Sequence, residues 1–186
     1  MADDLAGDCP PQRQNQLGEK TMKLCFALSV AVLTTAAVAP DLPKEGKVSA
    51  TYSSAGTWRQ ITAGKNLGAW IFDETGFSNG EPNTLLDHMT WHCIGVASVI
   101  NGEVKGRGDC VGTDPSGDQL FLDFIGDPNP VDAKAISGKG TFVDGTGKYA
   151  GISGGDVYVL HGPEYKVAAE QTYVSYGNLE GNYKFK

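Results

Sequence analysis

The sequence predicts an all-β fold: a single eight-stranded antiparallel barrel of lipocalin-like outline, preceded by a signal peptide. Three observations carry this. Glycine is abundant, 25 of 186 residues, and is scattered among valine, tyrosine and tryptophan. Apolar residues recur with period two rather than the helical period, as on half-buried strands. Asn101-Gly102 stands between two such runs. That pair is the strongest short hairpin signal, because a two-residue type I′ turn needs positive φ at both central positions.

Taken in order, residues 1–21 are polar and aperiodic and read as a disordered or unused extension. Lys23 then precedes the apolar run 24–39, which ends in small residues, so 22–39 reads as a signal peptide starting at Met22. The run is short for a membrane span, which needs about 20 residues, and an uncleaved membrane anchor is the alternative reading. Cys9 and Cys25 thus fall outside the mature chain, and 40–186 forms the barrel domain. Pro40–Gly46 is a linker, Lys47–Ser53 a strand, Ser54–Gly56 a turn, Thr57–Thr62 a second strand and Leu67–Asp73 a third. Glu74–Leu86, with Gly76, Gly80 and Pro82, reads as a mobile rim loop.

The Asn101-Gly102 turn fixes a register. Counting outward pairs Ile100 with Glu103, Val99 with Val104 and Cys93 with Cys110. Pair types alternate, so the cysteines fall in a non-hydrogen-bonded pair whose side chains lie close, and a cross-strand disulfide is expected. Two buried free thiols, or a bulge that shifts the register, are the alternatives. One face, Met89, Trp91, Cys93, Gly95, Ala97, Val99, Val104, Gly106, Gly108 and Cys110, carries no charge. The other carries His92, Glu103, Lys105, Arg107 and Asp109. Charge avoids low dielectric, so the first face looks inward, and its glycines suit a strongly bent sheet. Pro115-Ser116-Gly117 fits a three-residue hairpin loop that pairs Cys110 with Leu122, Gly112 with Leu120 and Gly108 with Phe124, all apolar partners.

Gly126–Gly138 is a loop whose Pro128 and Pro130 exclude a central strand. Thr141–Gly151 reads as a short helical or irregular turn. Asp156–His161, Lys166–Tyr173 and Leu179–Phe185 close the chain, the last strand pairing with an early one through the face of Tyr183 and Phe185. Closure would remove exposed edges.

A formal net charge of −7 argues against nucleic acid or an anionic membrane as partner, since both want a basic face. Export to an oxidising compartment, secreted or periplasmic, fits the expected disulfide.

His88, Met89, Cys93 and Gly95, followed by Gly108-Asp109-Cys110 and the run Asp114–Asp118, resemble a group of bacterial exported proteins of unassigned role. The stretch 138–154, glycine punctuation around Phe142 and Tyr149, is similar to the glycine-aromatic signature of dirigent proteins and allene oxide cyclases. The resemblance covers roughly 46–186. It implies an eight-stranded barrel, a secreted protein that steers or cyclises a small molecule inside it, and a tendency to homo-oligomerise. No motif carries those families' pocket residues onto positions here.

Several chemistries are excluded by spacing. Lys148 does not sit in a phosphate loop, because Phe142 occupies the first-glycine place and Tyr149 the Ser/Thr place. His88 and His92, four apart on a strand, would lie about 13 Å apart at roughly 3.3 Å per residue and cannot grip one metal. Asp114, Ser116 and Asp118 echo a calcium loop but lack its glycine and distal glutamate, so a plain turn is expected. No metal or cofactor is implied, and no Gly-x-Ser-x-Gly nucleophile occurs. The weak catalytic candidates are the inward polar groups His161, Tyr183 and Tyr52. Trp58, Trp91, Tyr52 and Tyr183 are the expected ligand-binding residues. Three readings stay open: an exported barrel that binds or steers a small apolar or aromatic molecule, a cofactor-independent isomerase or cyclase, and a structural or interaction barrel with a packed interior.

Overall fold

Alternating burial organises almost every strand of the computed structural model. It describes residues 42–63, 66–130, 133, 135–154, 156–161, 165–166 and 169–186; the extension and the expected signal peptide lie outside these. Among the described residues there are ten strands and no α-helix: β1 Glu45–Thr62, β2 Leu67–Gly80, β3 Met89–Ile100, β4 Glu103–Thr113, β5 Gln119–Gly126, β6 Asn129–Pro130, β7 Ile136–Gly145, β8 Asp156–His161, β9 Tyr165–Lys166 and β10 Thr172–Lys184. β6 and β9 are two-residue pieces, on β4 and β10 respectively. The other eight form one antiparallel sheet in the order β1-β2-β3-β4-β5-β7-β8-β10, with β1 also pairing β10.

The sheet curls into a half-barrel rather than a barrel closed through its whole height. β1 and β2 pair from Ala50–Gly80 up to Thr62–Gly68. On the opposite side β8 offers only six residues, pairing Ile136–Thr141 of β7 and Gly177–Gly181 of β10. One wall is therefore tall and the other short. The β4–β5 turn lies at the lower end of the half-barrel and Asn101-Gly102 at the upper end.

The central meander has the expected register: Ile100 faces Glu103, Cys93 faces Cys110, and Cys110 faces Leu122. Asn101 and Gly102 both have positive φ, 56° and 83°, as a type I′ turn requires. A disulfide joins Cys93 to Cys110, with Cα atoms 4.1 Å apart.

Three expectations are corrected. β1 is one strand, with no turn at Ser54–Gly56, because ladders on both sides hold those residues extended: Ser54 faces Gly76 and Ser175, and Gly56 faces Glu74 and Tyr173. β2 runs past Asp73 to Gly80 for the same reason, held between β1 and β3. The turns at 81–88 form a plug, not a mobile rim: Leu85 and Leu86 are each 1% exposed and pack with Met89, Leu120 and Ile152 in the core. Ser78 ties this plug to the wall. Its hydroxyl donates to the Leu86 carbonyl (2.9 Å) and accepts from the Trp91 indole N–H (2.9 Å).

The glycine-aromatic stretch is also structural. Its first part is strand β7, and only Gly147–Tyr149 is helical, a single 3-10 turn. This turn is clamped to the β4–β5 turn by the buried Asp114. The Asp114 carboxylate accepts from Ser116 N–H (2.8 Å), Ser116 Oγ (2.7 Å), Asp118 N–H (3.0 Å) and Tyr149 OH (3.2 Å), and pairs with Lys148 Nζ at 2.5 Å. Burial would raise the Asp114 pKa, but Lys148 and Ser116 overcome it and hold the carboxyl at about 2. The plain turn expected here is what forms.

Candidate functional site

Above the lower core the half-barrel encloses a cavity of about 390 Å³. The ladder registers stack its lining in rows. The lowest of these rows sets Tyr52 opposite Ser78 and Ser78 opposite Met89, with the Leu86 carbonyl bonded by Ser78. Above it, Ser54 lies between Ser175 and Gly76, and Gly76 faces Trp91. The next row runs Tyr173, Gly56, Glu74, Cys93, Cys110, Leu122. Trp58, Phe72, Gly95, Gly108 and Phe124 follow, then Gln60, Trp70, Ala97 and Gly106.

Large rings alternate with glycines for a steric reason. A Cβ on Gly95 would fall into the Phe72 ring, and one on Gly112 would lie 2.8 Å from the Trp91 ring. Gly56 matters most. A Cβ there would meet Glu74 Cβ at 2.7 Å and Tyr173 Cζ at 2.8 Å. The bare backbone of β1 is what lets side chains from β2 and β10, its two neighbours, meet across it.

They meet at a carboxylate. Tyr173 OH donates to Glu74 Oε2 at 2.8 Å, and Ser54 Oγ donates to the same oxygen at 3.2 Å. The Ser54 and Ser175 hydroxyls are 2.7 Å apart; with the Ser54 proton directed at Glu74, Ser175 donates to Ser54. Tyr52 joins through a hydrogen bond with Ser175. Hydroxyls that donate to a carboxylate stabilise its negative charge, and polarised chains do so cooperatively. The Tyr52 phenol is pushed well above its ordinary range, first by burial and then by the charge of Glu74.

Of the residues expected from sequence, Trp58, Trp91 and Tyr52 line the cavity, as do both disulfide cysteines. Tyr183 does not: it is buried in the lower core, edge-on to Phe185, and burial raises its pKa. His161 lies at the end of β8, in register with Gly177 and Ile136; its side chain is outside the described residues. Glu74, Tyr173, Ser54, Ser175 and Trp70 were not anticipated. The available signal was the alternation Trp70, Phe72, Glu74, which continues one face of a strand through a charge.

Among the described residues no group of three or more His, Cys, Asp or Glu side chains could hold a metal ion, and no helix is long and apolar enough to cross a membrane. No family model and no curated protein matches the chain.

Proposed function

We propose that this chain is an exported barrel-type protein that binds or steers a small apolar or aromatic molecule. The observation that carries the reading is the cavity: about 390 Å³, walled by Trp58, Trp70, Trp91 and Phe72, with convergent polar groups at Glu74. Pockets that hold small ligands have this make-up, mostly apolar walls and a few placed polar atoms, and volumes from about 300 Å³ upward. A packed interior would have filled the space. The resemblance to dirigent proteins and allene oxide cyclases points the same way, and the disulfide suits an oxidising compartment.

The test is native mass spectrometry of protein purified from its own host. A bound small molecule that is lost on denaturation supports the reading. Protein at its bare mass, with tryptophan fluorescence unmoved by a panel of apolar probes, would overturn it.

A second reading, a cofactor-independent isomerase or cyclase, is favoured by the Tyr173–Glu74 hydrogen bond, which sets a proton donor against a base inside an apolar chamber. Turnover of a bound ligand, abolished by Glu74→Gln with binding retained, would select it.

Homo-oligomerisation belongs to the same proposal. Ile71, Val96 and Ile125 stand in one outward row across β2, β3 and β5, each roughly half exposed, with Arg107 between them. Ile71→Lys with Ile125→Lys should lower the mass measured by light scattering to that of one chain.

A further inference from the structure

We infer that a second copy of the chain docks on the outer face of β2 to β5 by a two-fold rotation, with a basic row of each copy laid over an acidic row of the other. This rests on the homo-oligomerisation proposed above and adds the number of copies, their orientation and the contact that sets it.

Ladder register sorts the outer face by charge. One row runs Arg59, Ile71, Val96, Arg107, Ile125 and Lys139 and holds no carboxylate. The row beneath it has Asp73, Ile94, Asp109 and Asp123 and holds no cation. The two rows are two residues apart along each strand, about 6.6 Å at roughly 3.3 Å per residue. All of these residues are exposed.

The acidic row contains a local conflict. Asp109 and Asp123 stand directly opposite each other on β4 and β5. Toward β3, Asp109 is in a hydrogen-bonded pair with Ile94, so its pair with Asp123 is the close, non-hydrogen-bonded kind, with Cβ atoms about 5 Å apart. Like charges so placed destabilise a sheet. Among the described residues neither carboxylate makes an ion pair or a hydrogen bond, and Arg107, one row above, makes none either. A guanidinium arriving from outside can bridge both carboxylates at once.

One two-fold supplies it. An axis along the strands would set each row on itself, basic on basic and acidic on acidic. An axis along the rows, midway between them, sets β3 on β3 and β4 on β4 in opposite directions. Arg107 then reaches the partner's Asp109 and the partner's Asp123, and Val96 meets the partner's Ile94. Symmetry repeats the contact, and the half-exposed Val96 and Ile94 form its apolar centre. Continued along β4, the same rotation sets Lys105 on the partner's Val111 and Glu103 on the partner's Thr113, so no like charges meet there. Complementary potentials select one orientation and exclude others, and an isologous two-fold contact closes at two copies.

The test is sedimentation velocity on the full chain and on two surface variants, Arg107→Glu and Asp109→Arg. The native chain is expected to sediment as two copies. Either variant alone sets like charges against each other at both contacts, and its dissociation constant should rise at least about tenfold. Mixed one to one, the two variants set opposite charges at both contacts, and association should return to within about threefold of native. Native assemblies of more than two copies, variants that associate as tightly as native, or a mixture no tighter than either variant alone would overturn the two-fold arrangement while oligomerisation stands. A native chain that keeps the mass of one copy at about 0.1 mM overturns both. Should either variant fail to fold, Asp109→Asn with Asp123→Asn reads the same contact: it removes the charge that Arg107 meets and should weaken association at least about tenfold, and an unchanged constant would overturn the arrangement.

Discussion

A single absent side chain assembles the polar site. Gly56 is the inward residue of β1 at the level where Glu74 and Tyr173 come together, and the Asp73 carbonyl lies only 2.7 Å from where its Cβ would be. Overpacking a fitted wall costs about 1–3 kcal/mol. Gly56→Ala should therefore destabilise the protein by about that much in urea unfolding and separate Tyr173 from Glu74. Stability unchanged to within 0.5 kcal/mol, about the scatter of neutral surface substitutions, would contradict the crossing of side chains over β1. Tyr173→Phe is the milder probe. It leaves the packing intact and removes one hydrogen bond to a charged group, an expected loss of about 1.5–3 kcal/mol. The carboxylate itself was hard to see in the sequence for a physical reason. Alternation assigns a charge to the outside, and Glu74 is followed by Gly76, Gly80 and Pro82, so the pattern breaks where β2 carries the carboxylate that Tyr173 and Ser54 bond. Such violations of a local rule are expected at sites.

Two cross-links hold elements rather than residues. The Cys93–Cys110 bridge joins β3 to β4 with a sequence separation of 17. On a chain-entropy argument a loop of this size is worth about 3 kcal/mol. Reduction should lower the urea midpoint accordingly, and intact mass should rise by the two hydrogens of a single bridge. Freely alkylatable thiols at both positions in unreduced protein would refute it. The second cross-link is Asp114. Its folded pKa, about 2, lies below the ordinary 3.8, so the proton binds the folded state less readily than the unfolded one. Its contribution, about 2 kcal/mol, is present above about pH 4 and lost as pH falls through about 2. Asp114→Asn should cost about that much at neutral pH, and the gap from the parent protein should close in acid. A gap constant from pH 6 to pH 2 would rule the clamp out. The hairpins that carry both cross-links were legible because short turns with fixed chemistry set register by counting. The long β1 was not. Ser54-Ala55-Gly56 has the composition of a turn, and only pairing on both flanks, a non-local fact, keeps it extended.

At the scale of the whole molecule, the sequence conveyed an all-β antiparallel fold with apolar and glycine residues inward. It did not convey that the sheet is unevenly tall or that packing is confined to one end. Those depend on how many ladder partners each strand finds: β8 has six residues, β1 eighteen. The result is a chamber with a floor, built from Leu85, Leu86 and Tyr149, beneath aromatic walls. Because all three tryptophans face this space, emission should shift on occupancy and on little else short of unfolding.

A floor also makes the chamber a depth gauge. A series of straight-chain alcohols should gain about 0.8 kcal/mol with each added methylene while the chain still finds wall to cover. Once the tail outgrows the rim, further carbons would dangle in solvent and the gain should stop. The carbon number at that plateau measures the depth of the chamber from floor to rim.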